Sequence, residues 1–146
     1  MKQFLKLTIA LIMGVVALGF QSCGSDDDEP DAPINYNKID NIIGEWSCQA
    51  ELKDGKEVSC DQFTFNFDTG GSVMAQYAFA FTSVGTYVFN NGTMVCTFTN
   101  PNTKSTATVT MIFSEYNQGR AKVETTIEYG GSLSPSKHTY LFYKLK

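Results

Sequence analysis

From Gly44 onward the chain runs in short stretches where apolar and polar residues alternate, broken at regular intervals by turn residues. Such a period of two predicts antiparallel β-strands with one face buried. In the first stretch, Trp46, Cys48, Ala50 and Leu52 share a face. Lys53-Asp54-Gly55-Lys56 then reads as a hairpin turn, because Asp-Gly tolerates the positive φ such turns need. Phe63, Phe65 and Phe67 form the next stripe, and Asp68-Thr69-Gly70-Gly71 turns the chain. Val73, Ala75, Tyr77, Phe79 and Phe81 follow on one face. Gly85–Phe89 and Thr93–Phe98 flank the turn Asn90-Asn91-Gly92. Past Asn100-Pro101-Asn102, Ala107, Val109, Met111 and Phe113 alternate with polar positions. After Asn117-Gln118-Gly119, Ala121, Val123, Thr125, Ile127 and Tyr129 do the same. The loop Gly130–Ser136 leads to a last strand from His138 to Leu145. Only Lys38–Ile43 suggests a helical turn. About eight sequential hairpin-linked strands predict an all-β, antiparallel, up-and-down barrel, which closes on itself and leaves no exposed edge. A two-sheet sandwich is the competing architecture, but a Greek key needs a long crossover that the short hairpins do not supply.

The segment before the barrel reads differently. Lys2 and Lys6 precede an apolar run from Leu7 to Phe20. That run falls short of the roughly 20 residues that span a bilayer, and suits the core of a secretory signal. It ends at Phe20-Gln21-Ser22-Cys23-Gly24, which resembles the bacterial lipobox. There a cysteine flanked by small residues becomes the lipidated first residue of the mature chain. Phe20 stands where leucine is usual, and Gln21 where a small residue is. The following Gly24–Pro33 carries Asp26, Asp27, Asp28, Glu29 and Asp31 and nothing that could build a core. It reads as an acidic, extended tether, and resembles the surface-export tag of Bacteroidetes lipoproteins. The expected organisation is a signal peptide over 1–22, the lipidated Cys23 with a flexible tether over 23–37, and a barrel over 38–146. The implied location is the outer membrane, displayed at the cell surface or held on its periplasmic face.

Charge and cysteine content narrow the function. Losing Lys2 and Lys6 takes the eleven basic residues to nine, against fifteen acidic ones. Five of the acids belong to the tether, so the domain itself is nearly neutral. Nucleic acid is therefore not an expected partner, because no basic face exists to displace counterions. With Cys23 committed to lipid, Cys48, Cys60 and Cys96 remain in an oxidising compartment that permits a disulfide. If Asp54-Gly55 is a two-residue turn, Trp46 faces Phe63 and Cys48 faces Asp61. A three-residue loop puts Cys48 opposite Cys60 but needs a bulge near Asp61-Gln62 to return the phenylalanines to the inside. The adopted reading is a Cys48–Cys60 disulfide with such a bulge, and Cys48–Cys96 is the alternative. No Cys-x-x-Cys pattern or His/Cys cluster suggests a metal, and the adjacent Asp26, Asp27 and Asp28 lack the spacing of a calcium loop. No cofactor is expected.

Two motifs carry a family resemblance. Ile43-Gly44-Glu45-Trp46 is similar to the G-x-W opening of lipocalin-like domains. Val84-Gly85-Thr86-Tyr87, followed by an Asn-Gly turn, is similar to a strand of small lipocalin-like lipoproteins of Bacteroidetes. The resemblance covers roughly residues 38–146 and implies a lipocalin-like barrel. It also implies a tryptophan under the barrel floor, packed against a late basic residue. Here Lys144 stands where arginine is more usual.

Catalytic signals are sparse. Asp68-Thr69-Gly70 matches the motif of aspartic proteases, whose chemistry needs two such carboxylates sharing a proton. Those enzymes also carry an apolar pair and glycine before a late helix, and nothing after Gly119 fits. The motif equally suits a turn in which aspartate caps backbone donors. His138 is the only histidine and reads as a partly solvated strand residue. Asn91-Gly92-Thr93 matches a glycosylation sequon but reads as a turn. The expectation is a non-enzymatic protein with no catalytic residues, binding a small hydrophobic ligand. Trp46, Phe65, Tyr77, Phe79, Met111, Phe113, Tyr129 and Tyr140 are its candidate lining. The alternative is a filled barrel that contacts a protein or glycan. Metabolic labelling with a palmitate analogue is expected to mark the wild-type chain and to lose the mark in Cys23→Ala; a variant that keeps it would remove the anchor.

Overall fold

The computed structural model describes residues 32–77, 81–117, 119–130 and 134–145. The lipobox with Cys23, the acidic cluster and Phe79 lie outside the described residues. Nine strands follow in order: β1 (Gly44–Lys53), β2 (Lys56–Val58), β3 (Phe63–Phe67), β4 (Ser72–Tyr77), β5 (Phe81–Asn90), β6 (Thr93–Thr99), β7 (Thr106–Glu115), β8 (Arg120–Tyr129) and β9 (Ser136–Lys144). From β3 onward each strand pairs antiparallel with the next, and β1 pairs with both β3 and β9. The result is a closed up-and-down barrel of eight strands, with β2 as an additional short strand on β1. The turns follow residue chemistry. Asp54 and Gly55 both take positive φ (52° and 74°), as do Asn91 and Gly92 (46° and 81°). Two successive positive φ values give the turn whose twist matches paired strands.

The register resolves the two alternatives for the first hairpin in an unexpected way. The turn has two residues, with Lys53 opposite Lys56 and Glu51 opposite Val58. Yet Trp46 faces Phe65, not Phe63, and Ser47 faces Thr64. Between those pairs β1 spends three residues, Cys48 to Ala50, while the returning chain spends five, Ser59 to Phe63. The return carries two surplus residues, an even number, so the phenylalanine stripe stays on the Trp46 face. The excursion brings Cys60 to Cys48, and the two form a disulfide. Cys96 is a free thiol, fully buried in the core.

A second irregularity corrects the first predicted stripe. Against β9, Cys48 faces Phe142 while Ala50 faces Leu141, so Gln49 is a bulge. Trp46 and Cys48 point inward, and beyond the bulge the pleat inverts. Ala50 and Leu141 are buried apart from the main core cluster, on the outer face. There a two-pronged ion pair from Arg120 to Glu57 (both contacts 2.9 Å) fastens β2 to β8 and folds the hairpin back.

The core starts earlier than Lys38. The compact unit begins at Pro33, and Tyr36 is buried against Trp46 and Phe113, with ring centroids 6.2 and 6.0 Å away. A 3₁₀ turn, Ile39–Asn41, follows. Trp46 Nε1 donates to the Ile42 carbonyl at 2.7 Å. Lys144 Nζ donates to the Asn41 carbonyl at 3.0 Å and lies 5.6 Å from the centre of the Trp46 ring. Together these residues close one end of the barrel. Phe67, Val73, Met94, Met111, Val123 and Phe142 fill the interior.

Gly85 is required by a close approach. A Cβ there would sit 2.3 Å from the Thr97 carbonyl oxygen and 2.8 Å from Phe98 Cδ1. Relief would break the β5–β6 ladder, in which Gly85 faces Phe98. Gly85→Ala is expected to destabilise the barrel by about 1–3 kcal/mol, read as a lower urea midpoint. A midpoint equal to wild type would show that the strands can separate freely here.

Candidate functional site

Among the described residues, the end of the barrel away from Trp46 is not filled. It holds a cavity of about 230 Å³. Its walls include Phe63 and Phe65 of β3, Ala75 and Tyr77 of β4, Val109 of β7, Thr125, Ile127 and Tyr129 of β8, and Tyr140 of β9. Each points inward through strand alternation. The space exists because Ala75, Val109 and Thr125 are small residues set among large ones. Tyr129 also borders a recess of about 790 Å³ next to Phe98, Pro101 and Ala107.

Phe63 is the hub of the wall. Its ring meets Tyr140 edge to face at 5.0 Å, Phe142 at 5.3 Å and Phe65 at 5.8 Å, and lies nearly parallel to Tyr77 at 6.4 Å. Such offset and edge-on arrangements suit the ring quadrupoles. The disulfide holds the Ser59–Gln62 excursion in place, and that excursion delivers both Phe63 and Asp61 to the rim.

The rim is polar. The Tyr77 hydroxyl donates to the Asp61 carboxylate, and this bond, with some desolvation, pushes the Tyr77 phenol above its usual range. His138 stacks on Tyr140 at 5.5 Å, and its Nδ1 donates to Glu51 Oε1 at 2.8 Å. Lys53 meets the other oxygen of Glu51 at 3.0 Å. The His138 bond, then the Lys53 contact, hold the Glu51 carboxyl below the ordinary range against partial desolvation. Burial, reinforced by Glu51 and Asp61, pushes the Tyr140 phenol up to about 12. Thr125 is 4 % exposed, and among the described residues its hydroxyl oxygen has no hydrogen-bond partner.

Among the residues proposed as lining, Phe65, Tyr77, Tyr129 and Tyr140 meet at this cavity. Trp46, Met111 and Phe113 do not: they are packed in the filled part of the interior, with Trp46 and Phe113 rings 5.3 Å apart. Sequence reasoning passed over Phe63, Ala75, Val109, Thr125 and Ile127. All five sit on inward stripes, so the alternation that identified the others could have found them. Asp68 serves its turn: its Oδ1 accepts from the Gly70 and Ser72 amides, both at 2.8 Å. Among the described residues, no group of three or more His, Cys, Asp or Glu side chains is placed to hold a metal. No protein-family model, curated protein or solved structure matches the chain.

The Tyr140 environment has a consequence for alkaline stability. The fold prefers the neutral phenol, so the stabilisation is complete below pH 10, the ordinary phenol value, and fades as pH rises toward about 12. Urea midpoints of wild type should fall across that window, and those of Tyr140→Phe should fall less steeply. Parallel slopes would show that Tyr140 ionises freely in the folded chain.

Proposed function

We propose that this chain is a lipid-anchored binding protein of the bacterial cell surface, whose lipocalin-like barrel holds one small apolar molecule in its mouth. The observation that carries the reading is the 230 Å³ cavity, walled by aromatic and aliphatic side chains at one end of an otherwise packed barrel. It far exceeds the ~30 Å³ that one water occupies in the liquid. It is also smaller than the roughly 300–1,000 Å³ of sites for drug-sized molecules. That scale matches one ring or a short branched chain. The lipobox-like segment ending at Cys23 and the acidic stretch after it support membrane attachment and display. The role is non-enzymatic, since carriage asks only for enclosure and a few polar handles. A second reading, an interaction module contacting protein or glycan, draws on Val84 and Val88, which are 67 % and 70 % exposed on the outer face of β5.

Ala75→Leu separates these readings, because it fills the cavity and leaves the outer wall untouched. The full chain carrying Cys23→Ser, free of lipid and detergent, is titrated with toluene and followed by NMR at the aromatic resonances. Toluene is expected to bind the parent and to bind Ala75→Leu at least about tenfold more weakly, a loss of ~1.4 kcal/mol. Equal binding, or no saturable shift in the parent, would end the carrier reading.

A further inference from the structure

The mouth has a chemical preference beyond being apolar. Its upper wall is aromatic on several sides, from Phe63, Tyr77, Tyr129 and Tyr140. Aromatic faces carry negative charge density and attract cations that shed water easily. A carboxylate stands directly at this wall, because Asp61 accepts the Tyr77 hydroxyl hydrogen bond. Among the described residues Asp61 has no ion-pair partner. Glu51, the second carboxylate near the rim, is already shared between Lys53 and His138. The Lys53 ammonium is 63 % exposed and turned toward Glu51. Among the described residues, Asp61 is therefore the carboxylate at this wall that has no cation beside it. The raised phenol of Tyr140 is in keeping with this, since Glu51 and Asp61 both resist its ionisation.

We infer that the cavity selects a small organic cation, an alkyl- or arylammonium, its charged head against the Phe63, Tyr77 and Tyr140 rings and facing Asp61. A neutral hydrocarbon would use the same walls and gain nothing from the carboxylate. A carboxylate ligand would be repelled by Asp61. The inference rests on the proposed ligand site and adds the sign of the ligand's charge.

Three probes of one shape and different charge test it: choline, 3,3-dimethyl-1-butanol and 3,3-dimethylbutanoate. Each is titrated into the full chain carrying Cys23→Ser, beside the toluene titration. Choline is expected to bind about tenfold more tightly than the neutral alcohol, and the anion most weakly. Asp61→Asn, an exposed conservative change that leaves the Tyr77 hydroxyl a partner, should shrink the cation's advantage to about threefold. The alcohol or the anion binding as well as choline would overturn the cation preference and leave the apolar site standing. So would toluene binding without any of the three. An advantage unchanged in Asp61→Asn would remove the carboxylate from the account. Failure of all four probes would overturn the ligand site itself.

Discussion

Strand β1 must hydrogen-bond to β3 on one side and β9 on the other, because only that double pairing closes the sheet. The same strand also pairs with β2 beyond Ala50. One strand cannot satisfy all three neighbours with a uniform register. The chain solves this with two irregularities of different parity. The surplus toward β3 is two residues, which preserves the pleat and keeps the phenylalanines inside. The surplus at Gln49 against β9 is one residue, which inverts it. The inversion turns Ala50 outward under the β1–β2 hairpin and frees Glu51 to meet His138 near the mouth. Closure, disulfide placement and the polar rim all follow from how β1 is paired.

The two ends of the barrel differ because their side chains differ in size. At one end Tyr36, Trp46 and Phe113 converge, and the 3₁₀ turn supplies carbonyls that satisfy the indole and the Lys144 ammonium. A buried indole N–H or ammonium left unpaired would be costly, so this end is both plugged and hydrogen-bonded. At the other end Ala75, Val109 and Thr125 cannot fill the space between strands. An eight-stranded barrel has an interior just wide enough to be filled or to hold one small ligand. Here one end is filled, and among the described residues the other end leaves a cavity of about 230 Å³.

The disulfide belongs to the mouth and not to the plug. It joins two cysteines twelve positions apart around the first hairpin and anchors an excursion that would otherwise be a free connection. Phe63 and Asp61 lie on that excursion or directly beside it. The rim's chemistry therefore depends on a covalent link made outside the sheet ladder, as loops that carry function often need a rigid support.

Alternation and turn residues were enough to identify an all-β, up-and-down barrel and the Asp54-Gly55 and Asn91-Gly92 turns, because pleat and turn geometry are local properties; the stripe from Val73 to Phe81, which alternation reads as one strand, is divided between β4 and β5, with Tyr77 opposite Phe81. Four of the cavity's residues, Phe65, Tyr77, Tyr129 and Tyr140, were also legible, since large inward side chains stand out along a strand. Local pattern could not say at which height in the barrel each inward residue sits. Trp46, Met111 and Phe113 look no different in sequence from Tyr140, yet they fill the interior while Tyr140 lines the space. Height depends on the registers of β1 with β3 and β9, and those are set by surplus residues that leave the alternation almost undisturbed. Nor does a list of aromatic residues reveal a void, which is made by the small residues between them. The sequence by itself determined the class of fold and the residues able to face inward. The tertiary structure alone decided which of them meet, because barrel closure fixes relative heights across strands far apart in the chain.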